Sequence, residues 1–482
     1  MSCRKLFWIF TLAVYLLLHG CINLGPDYKK PDLGIQIPAA YEYAPAGTQT
    51  LVTDDRWWEA FADRELNQLV DEVIENNWDI KQAAARVLEA RAQYVSVRSD
   101  RFPTVEFAGV RDRRLVGGGQ GQDGTIVDSY GLRAPADYTV DLWSRLKKAS
   151  RAAWDDILRE EEARRTVGQA VVAETISLYL EMEAVERRLQ IAEQSIEAFR
   201  QSLQFVETRY RRGLTSVLDV HQARRVLAQA ETLVPQLEQE LGIVQQQLSV
   251  LLGRYPETHA PRRQPPDYYK QLPPVPPGLP SDLLWRRPDL RAAEAQLKAL
   301  NELVGVAKAA RLPTITLTGS YGWSSEDLNN LLRTENIVWN LTAGIVQPAF
   351  DAGRLKAGQR AAEARYQQGV AEYVKAVLNA FADVERALLT RELQMDRRNR
   401  ELNFLEEARA TQRVAENRYV RGLVIYLDVL NAQITRYQAE DSLVLVDLAL
   451  LKNRVELYRA LGGGWAEPKP LAVRDDGIFF QF

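Results

Sequence analysis

The sequence contains one seventeen-residue phrase twice, and this repeat constrains the fold more than any other feature. Residues 207–223 read ETRYRRGLTSVLDVHQA and residues 416–432 read ENRYVRGLVIYLDVLNA, with ten of the seventeen positions identical at an offset of 209. Four further pairs keep the same order in both halves: 77–87 with 287–297, 101–109 with 311–319, 144–153 with 353–362, and 251–253 with 460–462. Chance similarity does not hold register over five pairs, so the chain contains an internal tandem duplication.

Long helices are the main element expected in each half. In residues 178–210 the apolar or small residues are spaced alternately four and three apart, which is the periodicity of a coiled coil. The pattern resumes over 220–251, where Pro235 is expected to kink the helix mildly. A helix from about 144 to 210 would be roughly 100 Å long at 1.5 Å per residue, far longer than an ordinary globular helix.

Each copy of the phrase marks a turn between two helices. Gly213 and Gly422 follow an arginine at the end of a helical run, a common arrangement at a helix C-cap, where the cation meets the negative helix end. Ser216 or Thr215 can then cap the next helix. Each phrase is therefore the tip of an antiparallel helical hairpin.

Short alternating segments predict four strands per chain. They lie at about 104–111, 130–143, 314–323 and 340–347. Apolar residues on one face, polar residues on the other and about ten residues per strand are typical of a transmembrane β-barrel. A soluble amphipathic hairpin packed on the helices is the alternative. Pro135 is expected to disturb its strand locally, as a bulge would.

Four strands cannot close a barrel, because eight is the usual minimum. A barrel would therefore need several chains: two would give eight strands, and three would give twelve.

The N-terminus has the features of a secretory signal. Two basic residues precede an apolar run at 6–18, and Gly20 and Cys21 follow. The run is too short for a comfortable bilayer span, although an N-terminal membrane anchor is the alternative. The segment LHGC at 18–21 resembles a bacterial lipobox, in which Cys21 becomes the lipidated first residue. The resemblance also implies outer-membrane sorting, since Ile22 rather than aspartate follows.

Composition excludes several functions. Lys plus Arg number 61 against 64 Asp plus Glu, which argues against a nucleic-acid binder. Three His and three Met leave little for metal or imidazole chemistry, so we expect no enzyme, cofactor or metal site. The stretch GGGQGQDG at 117–124 lacks the context of a phosphate loop and favours a surface loop between strands.

The domain organisation follows from the repeats and from a proline-rich segment with nine prolines in 25 residues. We predict a signal peptide (1–20), a lipid-anchored segment (21–60), a first repeat (61–255), an extended strap (256–280), a second repeat (281–465) and a C-terminal tail (466–482).

These features together resemble the TolC-type outer-membrane factors, specifically the lipoprotein branch with OprM and NodT-like proteins. The matching stretches are CINLGPDYKKP (21–31), WWEAFADRELNQLV (57–70), PPGLPSDLLWRRPDLRAAEAQL (276–297) and both RGL…LDV phrases. The resemblance implies a mostly α-helical fold with a transmembrane β portion. Three chains would form a 12-stranded β-barrel in the outer membrane and a hollow periplasmic α-barrel of coiled-coil helices.

The function implied by the resemblance is a passive exit duct of an efflux system. It would act as a homotrimer in outer-membrane lipid, docked to a periplasmic adaptor and an inner-membrane pump of the resistance-nodulation-division class. Drugs or other small toxic compounds are the implied cargo. The outer-membrane exit of a type I protein-secretion system and a structural coiled-coil lipoprotein without a channel are the competing functions.

The resemblance also assigns roles to residues at the hairpin tips. Adaptor docking carries over to Gly213, Leu214, Thr215, Gly422, Leu423 and Val424. The periplasmic gate carries over to Tyr419, Arg421, Leu427 and Asp428, with Tyr210 and Asp219 as counterparts in the first copy. Simple helix capping is the alternative for the two glycines, and a favourable interaction with the helix dipole is the alternative for both aspartates.

Overall fold

The computed structural model describes residues 25–34, 36–44, 56–116, 125–262, 275–278 and 280–464. The expected signal peptide, Cys21, the loop at 117–124, the centre of the strap and the C-terminal tail lie outside the described residues.

The elements of the first half run in the order helix, sheet, helix. A 3-10 turn at Trp57–Phe61 is followed by α1 (Arg64–Asn76), α2 (Trp78–Ser99), β1 (Thr104–Val105), β2 (Ala108–Val116), β3 (Thr125–Val140), α3 (Arg145–Arg211), α4 (Val217–Glu231) and α5 (Leu233–Leu251). The second half contains α6 (Leu283–Arg286), α7 (Pro288–Ala309), β4 (Thr314–Ser325), β5 (Ile337–Val346), α8 (Arg354–Val420) and α9 (Tyr426–Ala460).

The duplication is confirmed by the lengths of the elements. Helices α3 and α8 each have 67 residues, and α2 and α7 each have 22. Helix α9 has 35 residues and spans the same interval as α4 and α5 together. The long helix expected from about 144 to 210 is α3.

The second copy has one continuous helix where the first has two. Helix α4 ends at Glu231 and α5 begins at Leu233, with Thr232 between them in a helical conformation (φ −72°, ψ −19°). Pro235 has no N–H to donate to the carbonyl of Glu231, so the helical hydrogen bonding is interrupted there. The break lies three residues before Pro235, the residue at which the sequence predicted a mild kink.

One compact unit comprises residues 1–33, 86–161 and 292–375, and it contains the sheet. All strand pairs are antiparallel: β3 pairs with β1, β2 and β4, and β4 pairs with β5. The register places apolar residues opposite one another, as in the rows Val140–Ile315–Ile345 and Tyr138–Leu317–Ala343. Directly opposite residues share a face, so these rows form the predicted apolar face.

Pro135 interrupts a ladder without producing a bulge. Thr104 pairs with Asp137 and Ala108 with Arg133, so the register is the same on both sides of the gap between β1 and β2. Glu106 still donates its N–H to the Pro135 carbonyl at 3.0 Å. The bulge was the wrong expectation, because the missing N–H removes hydrogen bonding but leaves the spacing of the two strands intact.

The strand expected at 130–143 spans Thr125–Val140 instead. It ends early because the Asp141 carboxylate accepts hydrogen bonds from the backbone N–H groups of Leu146 (3.0 Å) and Lys147 (2.8 Å). This side chain satisfies N–H groups in the first turn of α3 and so belongs to the helix start.

The N-terminal segment of the same unit lies along α7. Asn301 donates to the carbonyl of Pro26 at 2.9 Å, the Lys298 ammonium lies 5.5 Å from the centre of the Tyr28 ring, and Lys30 pairs with Glu294 at 3.5 Å. Three successive contacts therefore fix this segment on one helix.

The other compact unit comprises residues 34–85, 162–291 and 376–482. Its largest core packs α1 and the Trp57–Phe61 turn against α3, α5 and α9, with Trp58 fully buried and Trp57 stacked on Tyr458 at 4.7 Å between ring centres. A second core, near the hairpin tips, joins α3 and α4 to α8 and α9. Among the described residues, no helix combines the length and the apolar character needed to cross a membrane.

Candidate functional site

The two hairpin turns have the same backbone geometry. Gly213 (φ 74°) and Gly422 (φ 75°) both adopt the left-handed conformation. The N–H of Gly213 bonds the carbonyl of Tyr210 at 2.8 Å, and that of Leu214 bonds Arg209 at 2.9 Å. The second turn repeats both bonds at 2.9 Å, with partners 209 residues further on. Each turn is thus a Schellman motif, whose left-handed backbone angle favours glycine.

The turns present a leucine to solvent. Leu214 and Leu423 are each 60% exposed. A Cβ added at Gly213 or Gly422 would meet no atom within 4 Å, so the space above each glycine is open. Val424 is half-buried beside the second turn. The residues predicted to dock an adaptor therefore form two equivalent exposed points.

Asp219 is a capping residue in the first copy. Ser216, the N-cap of α4, accepts a hydrogen bond from the Asp219 N–H at 3.3 Å, and the Asp219 carboxylate accepts one from the Ser216 N–H at 3.1 Å. The Thr215 hydroxyl donates to the same carboxylate. This capping box occupies the side chains of both Thr215 and Asp219 within the protomer.

Asp428 is not used in this way. The N-cap residue of α9 is Ile425, whose side chain makes no capping hydrogen bond. Asp428 is exposed, and its carboxylate makes no hydrogen bond or ion pair with the part of the chain that the structure describes. Leu427 beside it is 36% exposed. Both side chains remain available at the start of α9.

The two tyrosines predicted near the gate differ in burial. Tyr210 is 45% exposed, whereas Tyr419 is only 6% exposed. Tyr419 packs edge-on against Phe205, with 6.2 Å between ring centres, and at a tilt against Tyr426, with 5.4 Å between ring centres. Tyr419 is therefore packed inside the protomer, and its role in a gate stays a prediction. The arginine of the predicted gate set, Arg421, is exposed.

The sequence did not predict an aromatic cluster that surrounds Tyr419. The Arg209 guanidinium lies 5.0 Å from the Tyr419 ring centre and 5.8 Å from that of Phe205. Ser202 and Tyr426 share a hydrogen bond of 2.9 Å between their hydroxyls. These contacts join the first hairpin to the second. The spacing of Phe205 and Arg209, four residues apart on one helix face, was the available signal.

A polar cluster lies where the strap meets α3. The Arg262 backbone N–H donates to the Glu186 carboxylate at 3.0 Å, and its guanidinium lies 5.2 Å from the Tyr179 ring centre. Burial, reinforced by the Asp63 carboxylate, raises the pKa of Glu183 to about 7, although Arg262 opposes the rise. The described residues contain no cluster of three or more His, Cys, Asp or Glu side chains suited to a metal.

The family model for "Outer membrane efflux protein" matches the chain twice, over residues 69–254 and 279–463. The chain belongs to the outer membrane efflux protein family. The two matches correspond to the two copies of the duplication.

Similar proteins agree over nearly the whole length. "Cation efflux system protein CusC" of Escherichia coli O6:H1 is 33% identical over 464 residues, covering 95% of this chain and 99% of the relative. "Pyoverdine export outer membrane protein OpmQ" of Pseudomonas putida is 33% identical over 466 residues, covering 95% and 98%. The solved outer-membrane channel OprN superposes with a TM-score of 0.85 at 29% identity, covering 92% of this chain and all of that one.

This outer membrane efflux protein is therefore a channel component of a tripartite efflux system, located in the outer membrane and extending into the periplasm. Its solved neighbours are trimeric, and such channels work with an adaptor and an inner-membrane pump. The competing expectation of a coiled-coil lipoprotein without a channel is wrong.

Proposed function

We propose that this chain is the exit duct for drugs or other small toxic compounds, supplied by a resistance-nodulation-division pump through a periplasmic adaptor. Acyl chains on Cys21 anchor it to the outer membrane, and the chain performs no catalytic step. The adaptor docks at the two hairpin turns, and the duct closes at the start of α9.

The observation that carries this proposal is the pair of equivalent exposed turns. A Schellman glycine with an exposed leucine occurs twice at the same position of the repeat. A docking partner with repeated subunits can contact both turns with one kind of surface. The three chains of a trimer together present six such turns.

A passive duct fits the relatives' cargo. At the same 33% identity one relative is named for cation efflux and another for pyoverdine export. Chemically different cargoes pass through similar ducts, which indicates that the cargo is selected upstream of the duct. A chain with three Met and three His also offers few soft ligands for a metal-selective path.

Closure is assigned to Leu427 and Asp428. Both are exposed on the first turn of α9, and three-fold symmetry turns each into a ring of three. A leucine ring closes a pore by dewetting, and an acidic ring favours cations. Asp219 does not contribute an equivalent ring, because its carboxylate is held in the capping box.

Substituting asparagine for the two glycines tests whether the adaptor docks there, because asparagine tolerates the left-handed conformation. Gly213→Asn together with Gly422→Asn keeps both turns but places a side chain in the open space above them. We expect trimers to assemble and drug tolerance to fall to that of a strain without the channel. The assay uses an efflux-deficient host expressing this chain with its adaptor and pump.

Gly34→Asn is the matched control, since Gly34 has φ 64° and equally open space but lies away from the tips. It should leave drug tolerance unchanged. Normal tolerance in the double asparagine variant would show that the two glycines are only helix caps, and the docking proposal would fail.

The gate is tested by bilayer conductance. Leu427→Ala should raise the closed-state conductance of purified trimers, whereas Leu218→Ala, the same change at the matching position of the first copy, should not. Equal effects of the two changes, or none, would count against a gate at the start of α9.

A further inference from the structure

The hairpin tips carry an excess of positive charge. Residues 204–225 and the matching residues 413–434 together contain eight arginines, four carboxylates and no lysine. Their net charge is therefore +4. The whole chain has a net charge of −3. The tips therefore differ in sign from the rest of the protein.

Three of the four carboxylates already have partners. Glu207 pairs with Arg224 at 2.7 Å, and Asp219 is held in its capping box. Glu416 accepts hydrogen bonds from Gln412 at 2.7 Å and from a second glutamine at 3.1 Å. Asp428 alone remains among the acidic groups of these two segments, so the positive charge at the tips is not neutralised locally.

Most of the arginines have no acidic partner. Two of the eight are engaged: Arg224 pairs with Glu207, and Arg209 stacks on aromatic rings. The other six are exposed and form no ion pair with any residue that the structure describes: Arg211, Arg212, Arg225, Arg413, Arg418 and Arg421. The Arg211 side chain reaches only the Glu207 carbonyl and the Thr208 hydroxyl, each at 3.4 Å.

Helix capping accounts for only some of these cations. Arg211 and Arg418 lie in the last turns of α3 and α8, where a cation favours the helix dipole. Arg225 lies in the third turn of α4, and Arg413 lies two turns before the end of α8. Neither stands at a helix C-terminus, so the helix dipole does not account for them.

The exposed apolar side chains between these cations indicate a protein partner. Leu214, Leu218, Leu423 and Ile425 are each 60% to 64% exposed. An apolar centre with a polar rim is the usual composition of a protein–protein interface, and arginine is enriched there. Free anions and lipid headgroups do not require the apolar centre.

We propose that the hairpin tips form a basic docking surface that binds acidic side chains at the tip of the adaptor. This inference rests on the proposed docking function and specifies the chemistry of the partner. Complementary charges increase the rate of encounter and exclude partners of the wrong sign. The six arginines supply attraction and orientation, while the exposed apolar side chains provide the apolar contact.

The test measures binding of the adaptor that supports efflux with this chain, using full-length trimers in lipid nanodiscs. Affinity should fall at least about tenfold between about 0.1 M and 1 M salt, because the Debye length shrinks from about 10 Å to 3 Å. Reversing three charges (Arg211→Glu, Arg225→Glu and Arg421→Glu) should weaken binding about tenfold or more at low salt.

Two matched variants separate charge from shape. Lysine at the same three positions keeps the charge and should retain affinity within about threefold, whereas Arg386→Glu, an exposed reversal away from the tips, should have no effect. An adaptor whose hairpin-tip acidic residues are changed to lysine should recover binding to the glutamate triple variant.

The outcomes distinguish this inference from the docking function itself. Tight binding without salt dependence, or equal losses with lysine and glutamate, would overturn the basic surface and leave docking intact. Absence of binding by the unaltered chain would overturn both. Salt-sensitive binding to phosphatidylglycerol vesicles, with adaptor binding unaffected by charge reversal, would assign the surface to a membrane and refute the proposal.

Discussion

The two hairpin tips share a backbone but use their side chains differently. Both turns are Schellman motifs with nearly identical angles, and both expose a leucine. Asp219 of the first copy caps a helix, while the carboxylate of Asp428 in the second copy has no partner among the described residues. The tyrosine of the first copy is exposed, while that of the second is buried. The two copies thus keep the same turn geometry, while the neighbouring positions have diverged.

Tyr419→Ala should cause the largest loss of stability among the paired changes. It removes a buried ring that contacts Phe205, Tyr426 and Arg209, so we expect a cost of about 3–5 kcal/mol. Tyr210→Ala should cost less than about 1 kcal/mol. Denaturant unfolding monitored by helix circular dichroism measures both.

Tyr419→Phe is the control for ring packing. The Tyr419 hydroxyl is buried and has no hydrogen-bond partner among the described residues, so its removal should be close to neutral. A loss as large as that of Tyr419→Ala would mean that the hydroxyl, rather than the ring, joins the two hairpins.

Exchanging one proline between the copies tests the helix break. Val444 matches Pro235 and is 3% exposed within the continuous helix α9, so Val444→Pro should destabilise the protein by about 3 kcal/mol. Pro235→Val should change stability by less than about 1 kcal/mol, because the break at Thr232 already accommodates the proline. Similar losses from both exchanges would show that the break itself stabilises the first copy.

Glu183→Gln should alter the pH dependence of stability. The pKa of Glu183 is raised to about 7 in the folded chain, so the folded state holds this proton more tightly than the unfolded state. Stability should therefore decline as pH rises from about 4.5 to 7, by on the order of 2 kcal/mol. Glutamine should abolish this decline in thermal melts at pH 5, 6, 7 and 8.

Glu392→Gln is the matched control, because Glu392 occupies the same position of the second copy and is exposed. It should leave the profile of the unaltered chain in place. An unchanged pH profile in Glu183→Gln would show that other groups control this range.

Capping gives the smallest expected difference between the copies. Asp219→Ala removes one half of a capping box and should cost about 1 kcal/mol. Asp428→Ala removes only an exposed charge from a first helical turn and should lower the free energy of unfolding by only about a few tenths of a kcal/mol. A reversed order in thermal unfolding would contradict the division of roles between the two aspartates.

The sequence was sufficient to predict the repeated architecture. The helix expected at about 144–210 agrees with α3 to within one residue at each end, and coiled-coil spacing supports its second half. The Arg-Gly-Leu pattern located both turns. These signals are local in the chain. Strand limits were less well predicted. Asp141 follows an alternating run but caps a helix, and the alternation itself continues through its position.

The burial of Tyr419 could not be predicted from the repeat. Tyr210 and Tyr419 occupy matching positions, and the sequence treats them as equivalents. Their difference arises from tertiary packing, since Phe205 of the first hairpin is adjacent to Tyr419 while its own counterpart in the second copy is Val414. The residue that differs between the copies, Phe205 against Val414, accounts for the different burial of two identical tyrosines.

The equal lengths of α3 and α8 restrict how such a chain can evolve. The sequences of the two helices differ at most positions, yet each helix is 67 residues long. One inserted residue would advance every later side chain by 1.5 Å and rotate it by about 100° around the helix axis. A single deletion in one copy would therefore misalign its turn, whereas dozens of substitutions did not. The length of these two helices is therefore more tightly constrained by the fold than their sequence, and a change of length in one copy needs a matching change in the other.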